Sequence, residues 1–125
     1  MKILIVEDQP FEMEILNRLL KKGNHEILTA TYRNEAVCII RENRPDMVIT
    51  DTQLPILSDE KPEKDIGIEI VREARRMRPS VRTWLVSGDM VPALQAKALG
   101  YGAEKAFAKS NIKDELIASG IIPPQ

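Results

Sequence analysis

Apolar residues gather in five short runs along this chain: Ile3-Leu4-Ile5-Val6, Ile27-Leu28-Thr29-Ala30, Met47-Val48-Ile49-Thr50, Thr83-Trp84-Leu85-Val86 and Ala106-Phe107-Ala108. Most are continuous rather than alternating, which is the pattern of strands covered on both faces in a parallel sheet. Between them the apolar positions change to helical spacing. Phe11, Ile15, Leu16 and Leu19 follow Pro10, which suits a first helical turn, and Gly23 stands where that helix would stop. A second helix is predicted from about Asn34 to Glu42, ending before Pro45. Ile70, Val71, Ala74 and Met77 form a third stripe closed by Pro79; a fourth helix, alanine-rich and weakly patterned, runs from Pro92 to Gly100. Ile112, Leu116 and Ile117 mark the fifth, with Asn111 as its N-cap and Asp114 complementing its dipole. This alternation predicts an α/β fold, a doubly wound (βα)5 parallel sheet formed by one domain over residues 1–125.

Open sheets of this kind bind ligands beyond the carboxyl ends of their strands. The first run ends in Glu7-Asp8, the third in Asp51, the fourth in Ser87 and the fifth in Lys109, whereas the second ends in Ala30-Thr31. In strand order 2-1-3-4-5 the one strand without such a group lies at the edge, and the other four surround the crevice. Three converging carboxylates need a counter-charge, and a hard divalent cation with oxygen ligands, Mg²⁺ above all, supplies it. Lys109 adds a fixed positive charge and Ser87 a hydroxyl donor. Together these groups form a clamp for a phosphoryl group, with Asp51 as the nucleophile that accepts it. Taken singly, each has a plainer reading: Glu7-Asp8 as a helix cap, Ser87-Gly88-Asp89 as a turn, Lys109 as a solvated lysine. Their coincidence at four strand ends favours the site.

Composition narrows the field. The chain has 125 residues, 43% hydrophobic and 30% charged, with 18 Lys plus Arg against 19 Asp plus Glu. That is globular composition without the basic excess of a nucleic-acid or anionic-membrane binder, so direct nucleic acid and membrane partners are not expected. The longest purely apolar run, Ala36 to Ile40, is far too short for a bilayer span, and no signal peptide is visible, so a cytoplasmic location is expected. Cys38 and His25 are each alone, which excludes an intramolecular disulfide and any His-Cys metal cage.

The set Glu7-Asp8 after Ile3-Leu4-Ile5-Val6, Asp51 followed by Leu54-Pro55, Ser87-Gly88, and Gly102-Ala103 leading to Lys109 resembles a receiver domain of a two-component response regulator, of the stand-alone chemotaxis-regulator type. The resemblance covers essentially the whole chain and implies the flavodoxin-like fold. It implies that Asp51 is phosphorylated by a phosphohistidine on a sensor histidine kinase or phosphotransfer protein. Asp8, Asp51 and the main-chain carbonyl of Gln53 would hold Mg²⁺, with Glu7 assisting through water. Ser87 and Lys109 would contact the phosphoryl oxygens, Gly88 would leave access to them, and Gln53 and Asp89 match positions that tune phosphoryl lifetime. Output would pass by contact with a downstream protein, through a surface around the fourth helix, fifth strand and fifth helix.

The chain departs from the family pattern in four places. Ala106 stands where a switching aromatic is usual, and the neighbouring Phe107, pointing to the opposite face, reads as core. Ser110 replaces the proline that normally follows the lysine. The connection from Ile56 to Ile66 is longer than usual and carries Asp59, Glu60, Glu63 and Asp65 against Lys61 and Lys64; it reads as a solvated loop or as a partner-specificity element. The apolar tail Ile121-Ile122-Pro123 leaves open packing on the domain, a weak homodimer contact, or the stump of a longer chain. Arg72, Arg75, Arg76, Arg78 and Arg82 form a basic stretch that reads as a helix C-terminus, with an acidic docking partner as the lesser alternative.

Other functions remain to be weighed. A haloacid-dehalogenase-type phosphatase also uses an aspartate nucleophile, but its second acid would fall at Gln53, which has no acidic proton to give. A pseudo-receiver that keeps the fold without being phosphorylated, and a receiver fragment of a larger regulator or hybrid kinase, also fit parts of the pattern. No phosphate-binding glycine motif is present.

Overall fold

The computed structural model describes residues 1–124 and contains a five-stranded parallel sheet in the order β2-β1-β3-β4-β5. The chain runs β1 Lys2–Val6, α1 Pro10–Lys21, β2 Glu26–Ala30, α2 Arg33–Asn43, β3 Met47–Asp51, α3 Ile66–Met77, β4 Arg82–Ser87, α4 Pro92–Gly100 and β5 Lys105–Ala108. A single 3-10 turn, Lys109–Asn111, then leads into α5, Ile112–Ala118. The doubly wound architecture, the strand order and the α4 bounds are as the sequence predicts.

Strand alternation sorts the core into two layers. Ile3, Ile5, Met47, Ile49, Trp84, Val86 and Phe107 face α1 and α5, where Leu16, Leu20, Ile112 and Leu116 meet them. Leu4, Val6 and Val48 face α2 and α3 on the other side, and Leu85 and Ala106 face α3 and α4. Continuous apolar runs are therefore required, since both faces of each central strand are covered.

Helix α3 begins at Ile66, one turn before the stripe starting at Ile70. Its first residues, Ile66, Gly67 and Ile68, are all buried, so they show no polar side from which a helical period could be read. Asn111 occupies the N-cap position of α5, but its side chain makes no capping bond, because the preceding 3-10 turn already organises the backbone there. The Lys109–Ser110 bond is trans.

The tail packs on the domain: Ile121 and Ile122 are buried against the α1–α5 layer, and the Ile121 carbonyl lies 2.7 Å from His25 Nε2. Three arginines of the basic stretch bond to other parts of the fold, while Arg76 pairs with Glu73 on the surface of α3. Arg78 donates to the carbonyls of Arg44 and Pro45, Arg82 pairs with Glu104, and Arg75 donates to the Val81 carbonyl. The long loop is tied down as well. Leu54 and Glu63 exchange backbone hydrogen bonds, and the Arg33 and Asn34 N–H groups at the start of α2 donate to the Pro55 and Ile56 carbonyls. Those loop carbonyls satisfy helix-end donors that no side chain caps.

Candidate phosphoacceptor site

Every strand-end residue singled out in the sequence reaches the carboxyl edge of the sheet. Glu7 follows β1 directly and is buried to 1% exposure, with its side chain on the α1 side. One of its oxygens, Oε2, accepts the N–H groups of Asp8 and Gln9 at 2.9 and 3.4 Å, bracing the turn into α1. These bonds brace the turn before α1 and do not cap the helix, whose N-cap, Gln9, makes no side-chain capping bond. The other oxygen, Oε1, accepts from Lys109 Nζ at 2.7 Å.

Asp51 closes β3. Its Oδ1 accepts the N–H of Thr52 at 2.7 Å, and its Oδ2 faces Lys109 Nζ at 3.1 Å. Carboxylate oxygens of Glu7, Asp8 and Asp51 lie within 4.8 Å of one another, an all-oxygen set suited to a hard divalent cation. On the far side of Asp51 opens a cavity of about 570 Å3, lined among others by Gln53, Ser87, Gly88 and Lys109. Asp8 does not line this cavity and opens instead onto a smaller one of about 240 Å3 beside the long loop.

Three residues essential to this geometry carry no strand-end signal. Glu12, in the first turn of α1, places Oε2 at 2.7 Å from Lys109 Nζ. Thr52 bridges the strands beneath the cavity, donating from Oγ1 to the Val86 carbonyl at 3.2 Å. Gly67 lies against the back of Asp51: a Cβ there would overlap the Asp51 carbonyl and come within 2.9 Å of Leu85 Cδ1, while its N–H donates to the Thr52 carbonyl at 2.9 Å. Only glycine lets α3 approach the strand end so closely.

The charges are tightly balanced. Burial pushes the Glu7 carboxyl up to about 8, reinforced by its contact with Glu12 and by the charge of Asp51, while Lys109 pulls the other way. For Lys109, burial disfavours the ammonium, but Glu12, Glu7 and Asp51 outweigh it and hold the amine above its ordinary value. Glu12 is held below the carboxylate range by its bonds to Glu7 and Lys109.

On the α4 side the site is plainer. Ala106 is buried among Leu85, Ala98 and Ala103, and Phe107 turns the other way, its ring 5.3 Å from that of Trp84 in an edge contact. The aromatic at position 107 is core, as its place in the strand predicts.

A parallel sheet with an acid pair after β1, an aspartate closing β3, a hydroxyl closing β4 and a lysine after β5 defines a phosphoacceptor-type α/β domain. The chain belongs to the response regulator receiver domain family, whose profile matches residues 3–119. It is 29% identical over 117 residues to sporulation initiation phosphotransferase F of Bacillus subtilis, covering 92% of this chain and 86% of that protein. Protein PilH of Pseudomonas aeruginosa is 39% identical over 57 residues, 46% of this chain and 47% of PilH. A Burkholderia pseudomallei response regulator solved with a phosphorylated aspartic acid, calcium ion and citrate superposes with a TM-score of 0.79 at 18% identity, over 94% of this chain and 64% of that one. The chain spans less than half the length of several curated relatives it matches, from 12% to 47%.

As a family, receiver domains act in two-component signalling rather than as classical enzymes, bind a divalent metal at an acidic pocket, and interact with histidine kinases or phosphotransfer proteins. The acidic trio here fits such a metal. Among the described residues no helix is long and apolar enough to cross a membrane.

Proposed function

We propose that Asp51 is the phosphoacceptor of a Mg²⁺-dependent switch, charged by a phosphohistidine on a sensor kinase or phosphotransfer protein and read by a downstream protein. The observation that carries this reading is the Asp51 carboxylate, which faces the Lys109 ammonium at 3.1 Å beside Glu7 and Asp8 and at the floor of an open cavity. An Asp51 carboxylate oxygen attacks phosphorus, the donor P–N bond breaks, and its electron pair returns to the imidazole nitrogen. Lys109 and the Ser87 hydroxyl neutralise and orient the phosphoryl oxygens, while the Thr52 N–H keeps the carboxylate aligned. Asp8, Asp51 and the Gln53 main-chain carbonyl would hold the metal, with Glu7 behind them; bound there, it offsets charge that carboxylates alone would repel.

Autodephosphorylation by water at the same cavity returns the switch to rest. Helix α4, which buries only Ala98, is the element best placed to shift when Ser87 and Lys109 move. Incubation with Mg²⁺ and a small acyl phosphate, followed by intact-mass measurement, is expected to show one added phosphoryl group, absent in Asp51→Asn. No adduct with any donor would favour a pseudo-receiver, and sustained catalytic turnover would favour a phosphatase.

A further inference from the structure

Lys109 stands between two cavities. On one side, with Asp51 and Ser87, lies the phosphoacceptor cavity; on the other, a cavity of about 210 Å3 between α1 and α5 is lined by Glu7, Glu12 and Ile15. Lys109 Nζ has three protons to donate. It has three carboxylate partners: Glu7 at 2.7 Å, Glu12 at 2.7 Å and Asp51 at 3.1 Å. The two shorter contacts are on the α1 side, and the longest is to the phosphoacceptor. Glu7 is fixed by its own backbone contacts, whereas Glu12 lies on α1 with its side chain 40% exposed and reaches both Glu7 and Lys109 from the helix side.

We infer that Glu12 is a positioning residue that holds the Lys109 ammonium toward α1 and sets the threshold for phosphorylation. The inference rests on the reading of Asp51 as the phosphoacceptor. Phosphorylation replaces the single charge of the Asp51 carboxylate with an acyl phosphate of up to two, adding as much as one negative charge to a site where Glu12 already shares the lysine. Glu12 therefore repels the incoming group and competes with it for the same ammonium. Both effects favour the resting state and act without touching the phosphoryl group. A glutamine at this position keeps the shape of the side chain, removes the repulsion and leaves only a neutral acceptor for the ammonium.

The test is titration of the chain at fixed Mg²⁺ with beryllofluoride, a non-transferring phosphoryl mimic, followed by fluorine NMR of the bound species. Glu12→Gln and Glu12→Ala are both expected to bind it about three- to ten-fold more tightly than the unaltered chain, the size of one partly screened unit charge at close range. The gain should shrink in about 1 M salt, where the Debye length is about 3 Å. Glu14→Gln is the control, since it removes the same charge from the outer face of α1, where Glu14 pairs with exposed Arg18. Equal or weaker binding by Glu12→Gln, a gain in Glu12→Ala alone, or an equal gain in Glu14→Gln overturns the role of Glu12. Absence of saturable binding by the unaltered chain overturns the assignment of Asp51 itself.

Discussion

Phe107 and Ala106 are neighbours in one four-residue strand, yet they belong to two differently built halves of the molecule. Phe107 enters a layer of large side chains, with its ring edge-on to Trp84 and in one buried cluster with Ile112, Leu116, Ile121 and Ile122. Ala106 enters a corner closed by Ala98 and Ala103. The first layer carries the mass of the core and, at its upper rim, the Glu7–Glu12–Lys109 network. The second corner carries α4, which buries a single residue, Ala98, fewer than any other helix among the described residues. Placing the aromatic on one side of the strand fixes that side and leaves the other light, so a change in charge at the strand ends meets less resistance toward α4 than toward α1.

The strongest way to break this contrast is to empty the heavy side. Phe107→Ala is expected to cost about 3–4 kcal/mol, read from urea unfolding, because a buried ring and its edge contact are lost together. Ala106→Gly should cost about 1 kcal/mol or less. Equal losses would mean that the two halves are equally packed. The next effect tests the floor between them. Gly67→Ala is expected to cost about 2–3 kcal/mol by overpacking and to lower Asp51 phosphorylation, since the new methyl group must displace the Asp51 carbonyl or α3. Full stability and labelling in that variant would show that the approach of α3 does not set the site.

The smallest effect lies at the outer edge of the light corner. Arg82 grips Glu104 through two hydrogen bonds of 2.8 Å and holds its carboxyl below the ordinary 4.5. A carboxyl lowered in the folded state contributes stability that is complete above its unfolded value and is lost as pH falls through the folded one. Glu104→Gln should therefore flatten the acid side of the stability curve below about pH 4.5, measured by thermal melts, by a small amount because the pair is partly exposed and screened. An unchanged acid slope would show that the pair contributes nothing measurable.

The sheet and the placement of the strand-end polar groups were legible in the sequence because each polar group comes directly after a continuous apolar run. Asp51 after Met47-Val48-Ile49-Thr50 and Lys109 after Ala106-Phe107-Ala108 announce themselves by that break in character. Glu12 does not, because an acidic residue in a first helical turn is ordinary and its meeting with Lys109 depends on the whole sheet being assembled. Gly67 was hidden for a different reason: between two buried isoleucines it resembles a weak point in a helix, and only the approach to the Asp51 carbonyl explains it. The arginine stretch was legible as a helix C-terminus, since Arg75 and Arg76 fall in the last turn of α3, but the partners of Arg75, Arg78 and Arg82 on carbonyls and carboxylates elsewhere in the fold depend on the assembled sheet.

The long loop after β3 leaves and returns through fixed points: the Leu54–Glu63 backbone pair closes it on itself, and the Gly67 contact locks the chain again at the start of α3. Its length is therefore uncoupled from the position of Asp51, in the way that a side street does not alter the distance along the main road. The tip, around Asp59 and Glu60, borders the small cavity onto which Asp8 opens, so a change of sequence there bears on the acidic side of the site and not on the register of the strand end.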